Sequence, residues 1–98
     1  MSFTQLIEIA DIDDEAALRD HVAGWDERDA GQAPGYLGAR ILGDLDTTGR
    51  YLLAIDFSSR QEAQRNNDRP ETARWAQGLH QLGTPTYTNL TEVYRTNG

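Results

Sequence analysis

The chain has 98 residues, enough for one domain around one core, and its sixteen Asp and Glu against nine Lys and Arg give a net charge of -7. That charge repels phosphate backbones and anionic lipid headgroups, so neither nucleic acid nor a membrane surface is an expected partner. The absence of cysteine excludes disulfides, thiolate metal sites and cysteine nucleophiles.

Residues 1–10 have no basic leader or long apolar run, and no stretch approaches the roughly 18 apolar residues of a membrane span. A cytoplasmic protein is expected. Residues 3–10 form a short run containing Leu6, Ile7 and Ile9 that reads as a first strand. Asp13, Asp14 and Glu15 follow, acids that suit the positive end of a helix dipole and can accept from its free amides. Leu18, His21, Val22 and Trp25 then recur at i, i+3, i+4 and i+7, which places them on one face of a first helix. Gly31 and Pro34 end it.

Residues 36–43 and 50–57 read as two strands joined in a hairpin by the polar stretch 44–49, which ends in glycine. Ser59 and Glu62 match a capping box and start a second helix. Pro70 interrupts or kinks that helix, because its ring clashes with the preceding turn and it lacks an amide hydrogen. Beyond it Trp75, Leu79 and Leu82 continue a helical stripe closed by Gly83. Residues 86–96, rich in Thr, Tyr and Val, read as the last strand.

The order is therefore βαββαβ in a single domain spanning residues 1–98. With right-handed crossovers it gives a ferredoxin-like α+β fold: a four-stranded antiparallel sheet with two helices on one face. The other face needs cover, and Leu37, Ala39 and Ile41, with Tyr51, Leu53, Ile55 and Phe57, are apolar enough to meet a second sheet. A homodimer through the sheet faces is expected. Small domains also bury a modest share of their unfolded surface, only a little over about 60%, so a partner adds needed burial.

The element order, the Pro34-Gly35-Tyr36-Leu37-Gly38 entry to the second strand and the Arg69-Pro70-Glu71-Thr72 break before Trp75 together resemble the antibiotic biosynthesis monooxygenases. These are dimeric α/β barrels, and the resemblance runs over nearly the whole chain. It implies a ligand cavity between helices and sheet in each protomer, and oxygenation by O2 with no flavin or metal cofactor. Haem-degrading relatives instead carry an Asn on the first strand and a haem-binding His on the second helix; by spacing, Gln5 and Trp75 stand at those places here. Trp75 cannot ligate iron. His80, further along the helix, is the remaining haem-ligand candidate.

His21 and His80 are the only histidines, with no H-E-x-x-H spacing that would assemble a metal site. Each is a candidate general base, because imidazole titrates near about 6.5. The plainer readings are a hydrogen-bonded core histidine for His21 and a solvent-facing one for His80. Trp25, Tyr36 and Trp75 carry the flat surfaces that would sandwich a small aromatic ligand, although at helical spacing the tryptophans also suit the core. Gln5 and Asn66 are the amides placed to hydrogen-bond a developing oxyanion, and Asn66 also suits a turn before Pro70. Arg40 and Asp56 interrupt apolar strands and are read as cross-strand pairing residues. Two functions are consistent with these residues: a cofactor-independent monooxygenase acting on a small aromatic or enolic substrate, and a non-catalytic dimer that binds or senses a small hydrophobic ligand.

Overall fold

A computed structural model describes residues 2–28 and 30–98, with only the backbone described at residue 30. Among the described residues four strands and three helices follow one another as β1 (Phe3–Ala10), α1 (Glu15–Arg28), β2 (Tyr36–Gly43), β3 (Tyr51–Phe57), α2 (Arg60–Asn67), α3 (Pro70–Leu82) and β4 (Thr84–Thr91), with a 3-10 turn at Ala30–Gln32. The strands form one antiparallel sheet in the order β2-β3-β1-β4. This is the ferredoxin-like α+β arrangement that the element order predicts.

The local signals act where they were expected. The carboxylate of Asp14 accepts the Ala17 amide at 3.1 Å and opens α1. The Ser59 hydroxyl accepts the Glu62 amide at 3.1 Å and opens α2. Pro70 does more than kink the second helix. It is the first residue of a separate helix, α3, and Arg69 before it is extended at φ -81° and ψ 136°. A proline at this position loses no helical hydrogen bond, since the first amides of a helix have no partner within it. The last strand starts two residues earlier than the Thr-rich run suggests and ends at Thr91. Pro85 is tolerated in it because β4 is an edge strand.

The helices cover one sheet face. Phe3, Ile7 and Ile9 of β1 and Leu53, Ile55 and Phe57 of β3 are buried there with Leu18 of α1, Ala63 of α2 and Leu79 of α3. This corrects the face assignment made from the sequence. Leu53, Ile55, Phe57, Ile41 and Tyr51 pack under the helices, and Leu37 sits 63% exposed at the irregularity between Tyr36 and Gly38. The uncovered face carries the alternate set: Leu6 of β1, Leu42 of β2, Leu52 and Ala54 of β3, and Leu90 with Thr86 and Thr88 of β4. Asp56, on that same face, accepts a hydrogen bond from its cross-strand neighbour Thr4. Arg40 has no ion-pair partner among the described residues.

Candidate functional site

Between the helices and the sheet lies a narrow, largely enclosed pocket of about 20 Å³, room for about one water molecule. Its position follows from side-chain size. Trp25 on α1 and Trp75 on α3 hold the helices away from the sheet, and the short side chains of Thr72 and Asn66 leave space beneath. Gln5 of β1 and Ile55 and Phe57 of β3 form the floor. Gln5, Thr72 and Trp75 also line a shallower groove between α3 and β4, walled by Ala73, Ala76 and Tyr87, which gives the cavity its opening to solvent.

Four of the five residues expected to bind a ligand converge here: Gln5, Trp25, Asn66 and Trp75. The fifth, Tyr36, stands one layer back. Its ring meets Trp25 edge to face at 4.8 Å and 82°, and its hydroxyl points away to donate to Asp26 at 2.8 Å. Burial, together with that hydrogen bond and the charge of Asp26, pushes the Tyr36 hydroxyl far above the ordinary phenolic pKa.

Neither histidine is on the cavity wall. His21 lies on the outer side of Trp75, stacked on its ring at 5.3 Å and 12°, with Nε2 at 2.8 Å from the Trp75 carbonyl oxygen. A carbonyl only accepts, so Nε2 carries a proton and His21 is engaged in packing α1 on α3. It faces a separate surface pocket with Arg28 and Arg74. His80 is exposed on the solvent side of α3, next to the fully buried Leu79.

Asn66 is the one buried polar residue among the described side chains, at 4% exposure. Its Oδ1 accepts from the Arg69 guanidinium at 3.2 Å and from the Thr72 hydroxyl at 3.0 Å. A guanidinium only donates, so the orientation of the amide is fixed and its Nδ2 hydrogens remain for another partner. Arg69 is held in turn by Glu71 at 2.9 Å. The sequence reading passed over Thr72 and Arg69. Thr72 stands one helical turn before Trp75 and Arg69 three residues after Asn66, spacings that signal a shared face once both helices are in place.

The cavity wall carries no ionisable side chain. Its polar side chains are Gln5, Asn66 and Thr72; the Trp75 indole N–H is spent on the His21 carbonyl at 3.3 Å and the Trp25 indole N–H is buried without an acceptor. Neutral donors of this kind favour an anionic oxygen over its protonated form without adding a charge of their own. Among the described residues no three His, Asp or Glu side chains converge as a metal site would require, and no helix is long and apolar enough to cross a membrane.

No family model matches the sequence, and no curated protein does either. Solved structures do. SnoaB, a cofactor-independent oxygenase from Streptomyces nogalater, superposes with a TM-score of 0.84 at 15% identity, covering 99% of this chain and 98% of the other. A monooxygenase from Streptomyces coelicolor, solved in complex with nanaomycin D, gives 0.79 at 19% identity, covering 99% and 92%. A protein from Deinococcus radiodurans assigned to the antibiotic biosynthesis monooxygenases gives 0.74 at 17% identity, covering 99% and 97%. At such identities the likeness carries the fold, and over nearly its whole length this chain has the fold of the antibiotic biosynthesis monooxygenases.

Proposed function

We propose that this protein is a cofactor-independent monooxygenase for a small aromatic or enolic substrate. The observation that carries the reading is the convergence of two tryptophans with the Gln5 and Asn66 amides on one enclosed pocket. A flat phenol or enol lies in the α3–β4 groove against Trp75, with its oxygen directed into the pocket beneath. The Asn66 and Gln5 amides donate to its oxygen and draw down its pKa, so that it is held as the anion that reacts directly with O2. With no histidine on the wall, the proton leaves through the groove to water, and the base roles considered for His21 and His80 are not needed. The product retains one oxygen atom, and the other leaves as water together with hydrogens the substrate gives up.

Each protomer holds a complete cavity. We further propose that two protomers pair through the uncovered sheet face, where Leu6, Leu42, Leu52 and Leu90 would otherwise meet water.

A second reading, a dimer that binds its ligand without turnover, draws support from the narrowness of the cavity and from its lack of a titratable side chain. Oxygen-electrode measurements with a panel of naphthols and hydroxyquinols separate the two. Uptake above the spontaneous rate for any member, lost in Asn66→Ala, supports the oxygenase. Saturable binding of panel members with no uptake rejects it in favour of the binding protein.

A further inference from the structure

His21, Gly24 and Arg28 follow one another at i, i+3 and i+7 on one face of α1, and Glu71, Arg74 and Trp75 at i, i+3 and i+4 on one face of α3. The two faces meet in the outer pocket behind Trp75, which is open to solvent and holds about 300 Å³, the lower end of small-ligand sites. Its wall is basic, although the chain as a whole carries a charge of -7. Glu71 is the one carboxylate on that wall among the described residues. It is engaged by Arg69 at 2.9 Å and stands 3.9 Å from Arg74, while Arg28 has no ion-pair partner among the described residues.

The direction of Arg28 has a cause in the sequence. Glycine is unfavourable inside a helix, yet Gly24 stands in the interior of α1, and a Cβ there would lie 2.8 Å from an Arg28 guanidinium nitrogen. The missing side chain lets the guanidinium fold back along the helix toward His21 and into the pocket. We propose that this pocket binds a small tetrahedral oxyanion, a phosphate or the phosphate end of a small ester, between Arg28 and Arg74. One guanidinium fork already satisfies the two oxygens of a carboxylate, whereas a phosphate has an oxygen pair for each of two forks. His21 spends Nε2 on the Trp75 carbonyl, which leaves Nδ1 as a third polar atom for the ligand. The bound anion would join α1 to α3 along the seam that His21 and Trp75 already hold. This site is separate from the pocket beneath the helices and does not depend on the oxygenase reading.

The test is a titration of the intact 15N-labelled protein with inorganic phosphate. The guanidinium Nε–H cross-peaks of Arg28 and Arg74, assigned by their absence from Arg28→Gln and Arg74→Gln, should move saturably with phosphate and stay in place with chloride at equal ionic strength. Both side chains are exposed, so the variants should fold, and each should bind phosphate about tenfold more weakly, the worth of a charge-assisted hydrogen bond. Gly24→Ala separates binding from folding. Alanine favours the helix but takes the space that Arg28 occupies, so the melting temperature should rise while phosphate affinity falls by about threefold or more. Shifts that do not saturate, an equal response to chloride, affinity unchanged in Arg28→Gln or Gly24→Ala, or benzoate bound as tightly as phosphate overturns the proposal. Phenyl phosphate then distinguishes the two sources: tighter binding than inorganic phosphate supports a phosphate ester, and equal or weaker binding supports the free ion.

Discussion

His21 and Trp75 bind each other reciprocally: the imidazole Nε2–H donates to the Trp75 carbonyl at 2.8 Å, the Trp75 indole N–H donates to the His21 carbonyl at 3.3 Å, and the two rings stack at 5.3 Å. The pair joins α1 to α3 and fixes the wall of the cavity from behind. Deleting it by His21→Ala removes one partly buried hydrogen bond and one aromatic contact, together about 1–3 kcal/mol. In a domain of this size the melting temperature should fall by about 5–15 °C. His21→Phe keeps the stack without the bond and should fall between the two, as read by circular dichroism melts. Equal melting of wild type and His21→Ala would show that the pair contributes nothing.

Gly78 is part of the same arrangement. It sits inside α3, where glycine costs about 1 kcal/mol relative to alanine. A Cβ at this position would overlap the His21 ring, which has no room to move while it is bonded and stacked to Trp75. Gly78→Ala should therefore destabilise the wild type but stabilise the His21→Ala variant by about 0.5–1 kcal/mol. The sign reversal is the prediction, checked by urea unfolding of the four proteins in the cycle.

What the sequence makes legible, and what it hides, can be seen in these same residues. The i, i+3, i+4, i+7 spacing places Leu18 and Trp25 correctly on the buried face of α1 and His21 at its flank against α3, because periodicity reports a face directly. It does not report what stands opposite, so the bond from His21 to a backbone carbonyl 54 residues away could not be read, and His21 remained a candidate base. The strands fail for another reason. In β3 the run Leu52-Leu53-Ala54-Ile55 is apolar in both phases, and a period of two then gives no indication of which phase meets the helices. Four cavity residues were recognisable by type, two indoles and two amides, whereas Thr72 was not, since a threonine in a first helical turn carries no signal of its own.

Asn66 allows stability to be separated from chemistry. Asn66→Asp presents a carboxylate that accepts from Arg69 and Thr72 as the amide oxygen does, so the fold should be preserved. It loses the Nδ2 donor and sets a negative charge where the substrate anion must form. Oxygen uptake should drop by about 100-fold or more, in the range seen when an oxyanion donor is removed, while the melting temperature stays within a few degrees of wild type. Retained turnover in this variant would remove Asn66 from the proposed mechanism.

The uncovered sheet face predicts an assembly state. Leu42 and Leu90 are 44% and 42% exposed there, beside Leu6 and Leu52, a leucine cluster that a single protomer leaves in water on a face it shares with Glu8, Arg40 and Asp56. Light scattering should give twice the 11.0 kDa chain mass. Leu52→Glu replaces a leucine of this cluster by a second carboxylate beside Glu8 and should yield a folded monomer, with circular dichroism unchanged in shape. A monomeric wild type would eliminate the sheet-to-sheet dimer.

Tyr36 makes a prediction about alkaline pH. Its hydroxyl is held protonated by burial and by donation to the Asp26 carboxylate, so its pKa in the folded protein lies far above the value near 10 of an unfolded chain. A raised folded pKa contributes stability that is fully present below the unfolded value. That contribution is lost as pH climbs above about 10, where the unfolded chain releases the proton and the folded one does not. Tyr51 and Tyr87 are also raised, by the hydrogen bond to Glu15 and by burial respectively, so the total alkaline dependence is not Tyr36's alone. Subtraction isolates it. Urea midpoints measured from pH 8 to 11 should decline more steeply for wild type than for Tyr36→Phe, which keeps the edge-to-face contact with Trp25 and has no proton to lose. Parallel declines would mean that the Tyr36–Asp26 bond is not formed in solution.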